Sequence, residues 1–153
     1  MDKITSIFDK LDLKALVPEM DKLLSDIQSV ASILVIVGPV VMLLLGLWYF
    51  FLPPKEANHH VGFRTYFGMG SVEAWKFTQK IAGISIGSVG LVLTVIMGII
   101  SLGYKGKDVM LVMESAARCL IWQAVLAVVV YLGVSVAAAV LFDKKGDRRQ
   151  FKK

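Results

Sequence analysis

Few side chains in this sequence are of a type that performs catalysis, and their placement does not favour it. His59 and His60 are the two histidines, and neighbouring positions project in different directions from the backbone. The one cysteine, Cys119, lies inside an apolar stretch, so no nucleophile stands beside a base. A zinc site needs three or four ligands, and no third histidine accompanies the pair. We therefore predict no catalytic residue, no metal site and no cofactor.

Arg64 has the clearest binding chemistry in the chain. It is the one arginine of the polar stretch 53–80. A guanidinium held near a membrane surface can bind a lipid phosphate or clamp a carboxylate, and the candidate acids are Glu56, Glu73 and Glu114. No motif of a hydrolase or a transferase accompanies these groups. We expect binding rather than catalysis.

Most of the chain has the composition of a membrane protein. Hydrophobic residues make up 56% of it and the mean hydropathy is +0.69, whereas soluble domains hold about 45–50% apolar residues. Three stretches contain no charged residue, namely 30–52, 81–104 and 119–142. Each is long enough to cross the hydrocarbon core, which takes about 20 residues of helix. The sequence predicts an all-α membrane protein with three transmembrane helices in a domain 30–142, with a motif loop 53–80.

Two flanking segments complete the predicted organisation. Residues 1–29 place apolar side chains at helical spacing opposite Asp and Lys, which predicts one or two amphipathic helices in the membrane interface. A docking surface for a partner is the alternative. The basic tail 143–153 and the motif loop, with most of the 17 Lys and Arg residues, are expected in the cytoplasm. We predict a multi-pass plasma-membrane protein with its N-terminus outside, which contacts lipid and binds no nucleic acid.

Small residues line one face of the second predicted span. Gly83, Gly87, Gly90 and Gly98 follow one another at helical spacing, and the first two form a GxxxG pattern. Such a face lets another helix approach closely. The partner is either another span of the same chain or a second copy in a homo-oligomer, and the pattern alone is a weak signal for either.

Polar and helix-breaking residues mark the other two spans. Pro39 removes a backbone donor, so a kink is predicted there. Gln123 is the strongly polar side chain of the third span, and it either hydrogen-bonds another helix or lines a polar pocket. Glu114 and Arg118 are four residues apart in the favourable order, so they are predicted to pair at the membrane surface.

The loop between the first two spans carries the most distinctive pattern. Ser71 is expected to cap the second helix, and Trp75 to lie at headgroup level. Here the chain resembles the SdpI immunity-protein family of bacterial membrane proteins, loosely over 35–142 and specifically over 54–83. The matching pattern is Asn58-x-x-x-Gly62-x-Arg64-Thr65, Ser71-x-x-x-Trp75, Thr78-Gln79-Lys80 and Ala82-Gly83. In the family two hydrophobic spans follow this motif, as they do here.

The resemblance implies protection of the producing cell against a secreted peptide that attacks the membrane. The founding member, which is longer and has more spans, also holds a repressor at the membrane. Tyr66 departs from the family, where a proline often follows the Arg-Thr pair. We expect a non-enzymatic protein that binds a peptide toxin, a lipid headgroup or a partner protein. A small oligomeric transporter or channel subunit and a structural scaffold are the alternatives. The candidate binding residues are Asn58, Gly62, Arg64, Thr65, Ser71 and Trp75.

Overall fold

Three long helices form the molecule in a computed structural model that describes residues 13–57 and 60–149. They are α1 (Leu13–Phe51), α2 (Val72–Leu102) and α3 (Val109–Leu141). Each is long and apolar enough to cross a membrane, and the described residues form no strand. The predicted all-α architecture with three transmembrane helices is confirmed.

The predicted segment boundaries differ from the helices in two places. From residue 13 onward the segment 1–29 is continuous with α1, while its first twelve residues and Asn58 lie outside the described part of the chain. An interfacial position for this segment stays a prediction. Helix α2 begins at Val72, so the connection before it is shorter than the predicted loop 53–80.

The helices expose most of their apolar surface. In the most apolar window of α3 only 11% of the residues are buried, and the share is 22% in α1 and in α2. A soluble protein rarely exposes apolar patches of this extent, because they drive association. Lipid chains are the solvent that these surfaces match.

Polar side chains cap the two helices that follow the connections. The Ser71 hydroxyl accepts a hydrogen bond from the Ala74 N–H at 3.1 Å, as expected of an N-cap. Asp108 caps α3 by accepting from the Met110 N–H at 2.8 Å. The turn before α3 is also tied to α1, because the Gln28 side chain donates to the carbonyl of Lys107.

The glycine face of α2 packs against α1 of the same chain. Gly46 of α1 lies so close to Gly87 that a Cβ on Gly46 would overlap the backbone of α2. A Cβ on Gly83 would meet the Phe50 backbone nitrogen at 2.7 Å. Gly98, by contrast, has open space around its Cα among the described residues. Contact between α1 and α2 therefore accounts for part of the predicted face but not for its far end.

Gln123 compensates for the donor that Pro39 lacks. In a regular helix the N–H of residue 39 would bond the carbonyl of Val35. Pro39 has no N–H, and the Gln123 side chain of α3 donates to that carbonyl at 2.9 Å. Gly38 leaves room for the arriving amide, because a Cβ there would lie 2.6 Å from its Oε1. Of the two interpretations of Gln123, the structure contains the hydrogen bond to another helix.

Replacing Gln123 with leucine is expected to lower the free energy of unfolding by about 1 kcal/mol, because the Val35 carbonyl loses its donor. Unfolding in mixed micelles with increasing SDS measures the loss. In a Pro39→Ala background the restored N–H can bond that carbonyl, so Gln123→Leu should cost clearly less. Equal costs in the two backgrounds would contradict this account of the pair.

Two glycines of the α1–α2 contact should respond differently to alanine. Gly46→Ala is expected to cost about 1–3 kcal/mol, because its Cβ would overlap backbone that cannot move aside alone. Gly87→Ala should be close to neutral, since its Cβ would meet its nearest atom at 3.6 Å. Gly98→Ala serves as the open-surface control. Thermal unfolding in micelles tests this order, and equal stability of the first two variants would refute it.

Candidate functional site

Two buried side chains of α2 hold the preceding loop. Gln79 uses both ends of its amide on Phe63, with Nε2 donating to the carbonyl at 2.7 Å and Oε1 accepting from the N–H at 2.8 Å. Trp75 donates from Nε1 to the Pro54 carbonyl at 2.8 Å. Both α2 side chains are fully buried. The loop is therefore fixed at its start and at its middle.

Gly62 is required by both backbone conformation and space. Its φ is +117°, a region that residues with a Cβ rarely adopt. A Cβ would also lie 2.6 Å from two ring carbons of Trp75. The loop backbone can pass over the indole only because this position has no side chain.

The ring of Phe63 connects the loop to the other two helices. It meets Tyr49 of α1 edge-on, with 6.4 Å between ring centroids, and Tyr131 of α3 with 5.5 Å between centroids. Aromatic pairs in such geometries add stabilisation beyond the area they bury. The middle of the loop consequently contacts all three helices at once.

Thr65 shapes the turn that follows. Its hydroxyl accepts from the Gly68 N–H at 3.0 Å and its carbonyl from the Met69 N–H at 3.2 Å. Thr65 is only 4% exposed, so its side chain faces the protein. The Thr78 hydroxyl beside Gly68 is buried with no hydrogen-bond partner among the described residues. Thr65 is thus placed to shape the turn, and a binding role for it stays a prediction.

Arg64 and Tyr66, the neighbours of the buried Thr65 in sequence, are both exposed. Tyr66 is 72% exposed, and the Arg64 guanidinium makes one long hydrogen bond, at 3.5 Å, to the His60 carbonyl. No carboxylate of the described residues pairs with Arg64. Glu114 instead accepts from Arg118 at 2.8 Å, the predicted pair, at the opposite end of the bundle. The loop therefore presents a cation and an aromatic ring to its surroundings.

Ser71 joins the loop to the segment after α3. The hydroxyl that caps α2 also donates to the Gly146 carbonyl at 2.7 Å. Gly146 has a φ of +82° and lies against the backbone of Gly70, so this position too depends on glycine. The N-terminus of α2 and the segment after α3 form one end of the molecule.

The segment after α3 is a compact turn. Phe142 is buried against Phe77, with ring centroids 5.5 Å apart, and forms an isolated bridge with Arg148. Backbone N–H groups, first that of Asp147, lower the pKa of the Asp143 carboxyl. This stabilisation is present above the ordinary pKa and is lost as the pH falls through the lowered one. The turn carries the basic side chains Lys144, Lys145, Arg148 and Arg149.

The predicted site residues fall into three places. The predicted helix-packing glycines lie on α2, three of them at its contact with α1 and Gly98 beyond it, and the predicted ion pair lies at the far end of the bundle. The described residues contain no group of three or more His, Cys, Asp and Glu able to hold a metal ion. At the loop end the structure brings together Gly62, Arg64, Thr65, Ser71 and Trp75.

Sequence reasoning missed three residues that build this end, namely Phe63, Gln79 and Gly146. Gln79 had a detectable signal, because it is an amide near the start of a span and belongs to the quoted motif. A polar side chain in that place needs a partner in the protein. Nothing local marks Gly146, whose role depends on a contact with a residue 75 positions earlier.

Comparison with known proteins gives one match. The model of the SdpI/YfhL protein family matches residues 55–142, from the start of the loop to the end of α3. No curated protein and no solved structure matches the chain. The matched range includes the Gln79–Phe63 and Trp75–Gly62 contacts described above.

Gln79→Leu is expected to release the loop and raise the rate of tryptic cleavage after Arg64 about thirtyfold, because two hydrogen bonds of roughly 1 kcal/mol each are lost and local opening becomes easier. Gln123→Leu, another buried glutamine that does not touch the loop, is the matched control. Cleavage after Lys105, at the other end, should stay unchanged in both. Cleavage after Arg64 no faster in Gln79→Leu than in Gln123→Leu would disprove the role of Gln79.

Proposed function

Because this chain belongs to the SdpI/YfhL protein family, we propose that it is a non-enzymatic integral membrane protein that acts by binding, as an immunity protein does. The ligand is a membrane-active peptide that inserts across the bilayer and so reaches the headgroup region at the cytoplasmic loop end of the bundle. Arg64 binds an anionic group of this peptide, such as a carboxylate, and Tyr66 contacts its apolar part. The same surface would suit a lipid headgroup or a partner protein, and these are the alternatives.

The observation that carries the proposal is the contrast between the loop backbone and two of its side chains. The backbone is held by hydrogen bonds from α2 and by ring contacts to α1 and α3. Arg64 and Tyr66 nevertheless stay exposed. A side chain presented from a fixed backbone loses little conformational entropy when it binds. Packing alone gives no reason to expose Arg64 and Tyr66 while Thr65 between them is buried.

Electrostatics at the membrane surface favours this assignment of Arg64. A guanidinium offers five N–H donors, and a carboxylate accepts two of them in parallel. Within the described residues no acid occupies these donors. A hydrogen bond between charged groups is stronger at the interface than in bulk water, because the surroundings are less polar.

We also propose that the protein lies in the plasma membrane with the loop end in the cytoplasm and the N-terminus outside. Support comes from the basic residues of the loop end, because positive charge is retained on the cytoplasmic side. The tryptic digestion described above can test this orientation on membrane vesicles. Cleavage after Arg64 should occur in inside-out vesicles and not in right-side-out ones, and the reverse pattern would exclude it. The basic residues at this end are Lys55, Arg64, Lys76, Lys80, Lys144, Lys145, Arg148 and Arg149.

Arg64→Ala should abolish protection while leaving the protein inserted and abundant, since the exposed side chain contributes little to the fold. Sensitive bacteria expressing the chain would be challenged with a panel of membrane-active peptides, and the inhibitory concentration compared at matched protein levels. Loss of a charge-assisted hydrogen bond predicts a decrease of about tenfold or more in the protection factor.

Two variants serve as controls for this experiment. Lys105→Ala removes an exposed cation at the opposite end of the bundle and should protect like the wild type. Arg64→Lys keeps the charge but loses the paired donors, so it should protect partly. Full protection by Arg64→Ala, or an equal loss of protection in Lys105→Ala, would contradict the role assigned to Arg64.

A further inference from the structure

A cavity of about 310 Å³ lies at the turn between α2 and α3, at the opposite end of the bundle from the motif loop. It has room for a polyatomic ligand, since a single water needs only about 10–15 Å³. No carboxylate belongs to its described lining, which combines two cations, two hydroxyls and two apolar side chains. These residues are Tyr104, Lys107, Ser115, Arg118, Leu111 and Val112.

Lys107 and Arg118 supply the positive charge of the cavity. Lys107 has no acidic partner within the described part of the chain. Arg118 donates to Glu114, but the two side chains are 65% and 60% exposed, and an ion pair of this kind is weak. One bond to Glu114 occupies only part of the five-donor guanidinium. Both cations therefore have donors available to an anion.

The two hydroxyls of the cavity are arranged in series. Tyr104 is only 3% exposed, and its hydroxyl donates to the Ser115 Oγ at 3.1 Å. Ser115 accepts this bond, and its own proton has no acceptor among the described residues. A hydroxyl that is oriented by one bond and free to donate another is suited to an oxygen-rich ligand.

The turn that carries these groups is fixed by the protein. Gln28 of α1 donates to the Lys107 carbonyl, and the Lys107 N–H donates to the Tyr104 carbonyl at 3.2 Å. Gly106 takes a φ of +76°, and Asp108 caps α3 directly after it. Donors held in place before binding cost less entropy to use than donors on a mobile loop.

From this geometry we propose that the cavity binds a phosphate group, with Lys107 and Arg118 balancing its charge and Ser115 donating to one of its oxygens. Two cations opposed by the nearby Glu114 leave a net positive charge that suits a phosphate monoanion. The phosphodiester of a lipid headgroup and free phosphate share this chemistry. Leu111 and Val112 add an apolar wall to the cavity. The site is distinct from the loop end and does not rest on the immunity function.

Titration calorimetry on the full chain in a neutral detergent tests the proposal with two probes, inorganic phosphate and dihexanoyl phosphatidylglycerol. A double variant should weaken binding about tenfold or more, because charge-assisted hydrogen bonds are lost. It combines Lys107→Gln with Arg118→Gln. Lys105→Gln is the matched control, since this lysine lies in the same turn but lines a different cavity. Lys107→Gln alone alters one exposed side chain, so it separates loss of binding from loss of folding.

The outcomes separate the two sources of the phosphate group. Binding of the lipid that free phosphate displaces assigns the site to phosphate itself, and lipid binding that phosphate does not displace assigns it to a headgroup. Both results support the site if Lys107→Gln weakens binding and Lys105→Gln does not. If neither inorganic phosphate nor the lipid binds, the proposal is overturned. Equal affinity in the double variant, or an equal loss in Lys105→Gln, also overturns it.

Discussion

Backbone N–H and C=O groups that protein packing shields from water must find hydrogen-bond partners inside the protein, because an unpaired buried group is costly. The Gln79 amide meets this demand for the loop by bonding both backbone groups of Phe63. The rest of the loop end depends on this pair. It sets the position of the Phe63 ring between α1 and α3 and of Gly62 above the indole of Trp75. From there the backbone leads to the exposed Arg64.

The same constraint operates a second time in the middle of the membrane. There the missing donor is the N–H that Pro39 lacks, and the Gln123 side chain of α3 donates to the Val35 carbonyl in its place. Each buried glutamine thus serves a backbone defect rather than a ligand. The buried polar side chains therefore stabilise the fold, whereas the exposed ones are accessible to a partner. This contrast explains why the most buried polar side chains are poor candidates for binding, whereas Arg64 and Lys107, which are exposed, are good ones.

Composition and local pattern were sufficient for the spans, for the Ser71 cap of α2 and for the ion pair on α3, because each depends on residues close together in sequence. For the glycine face of α2, local sequence pattern does not show which glycines contact another helix. Gly83 and Gly98 have the same residue type and the same periodicity, but only Gly83 meets α1. Gly83 lies against the backbone of Phe50 and Gly46, and only the relative placement of the two helices identifies these partners. Phe63 and Gly146 were missed for the same reason, since their contacts join distant segments.

The bond between Ser71 and Gly146 has a consequence for how the protein is made. About 75 residues separate its two ends, and ribosomes add roughly 5–20 residues per second. The cap of α2 therefore waits several seconds for its second partner, because Gly146 is synthesised after all three helices. Closure of this end is among the last events of biogenesis. A chain truncated before Gly146 would keep the three helices but lose the second hydrogen bond of Ser71.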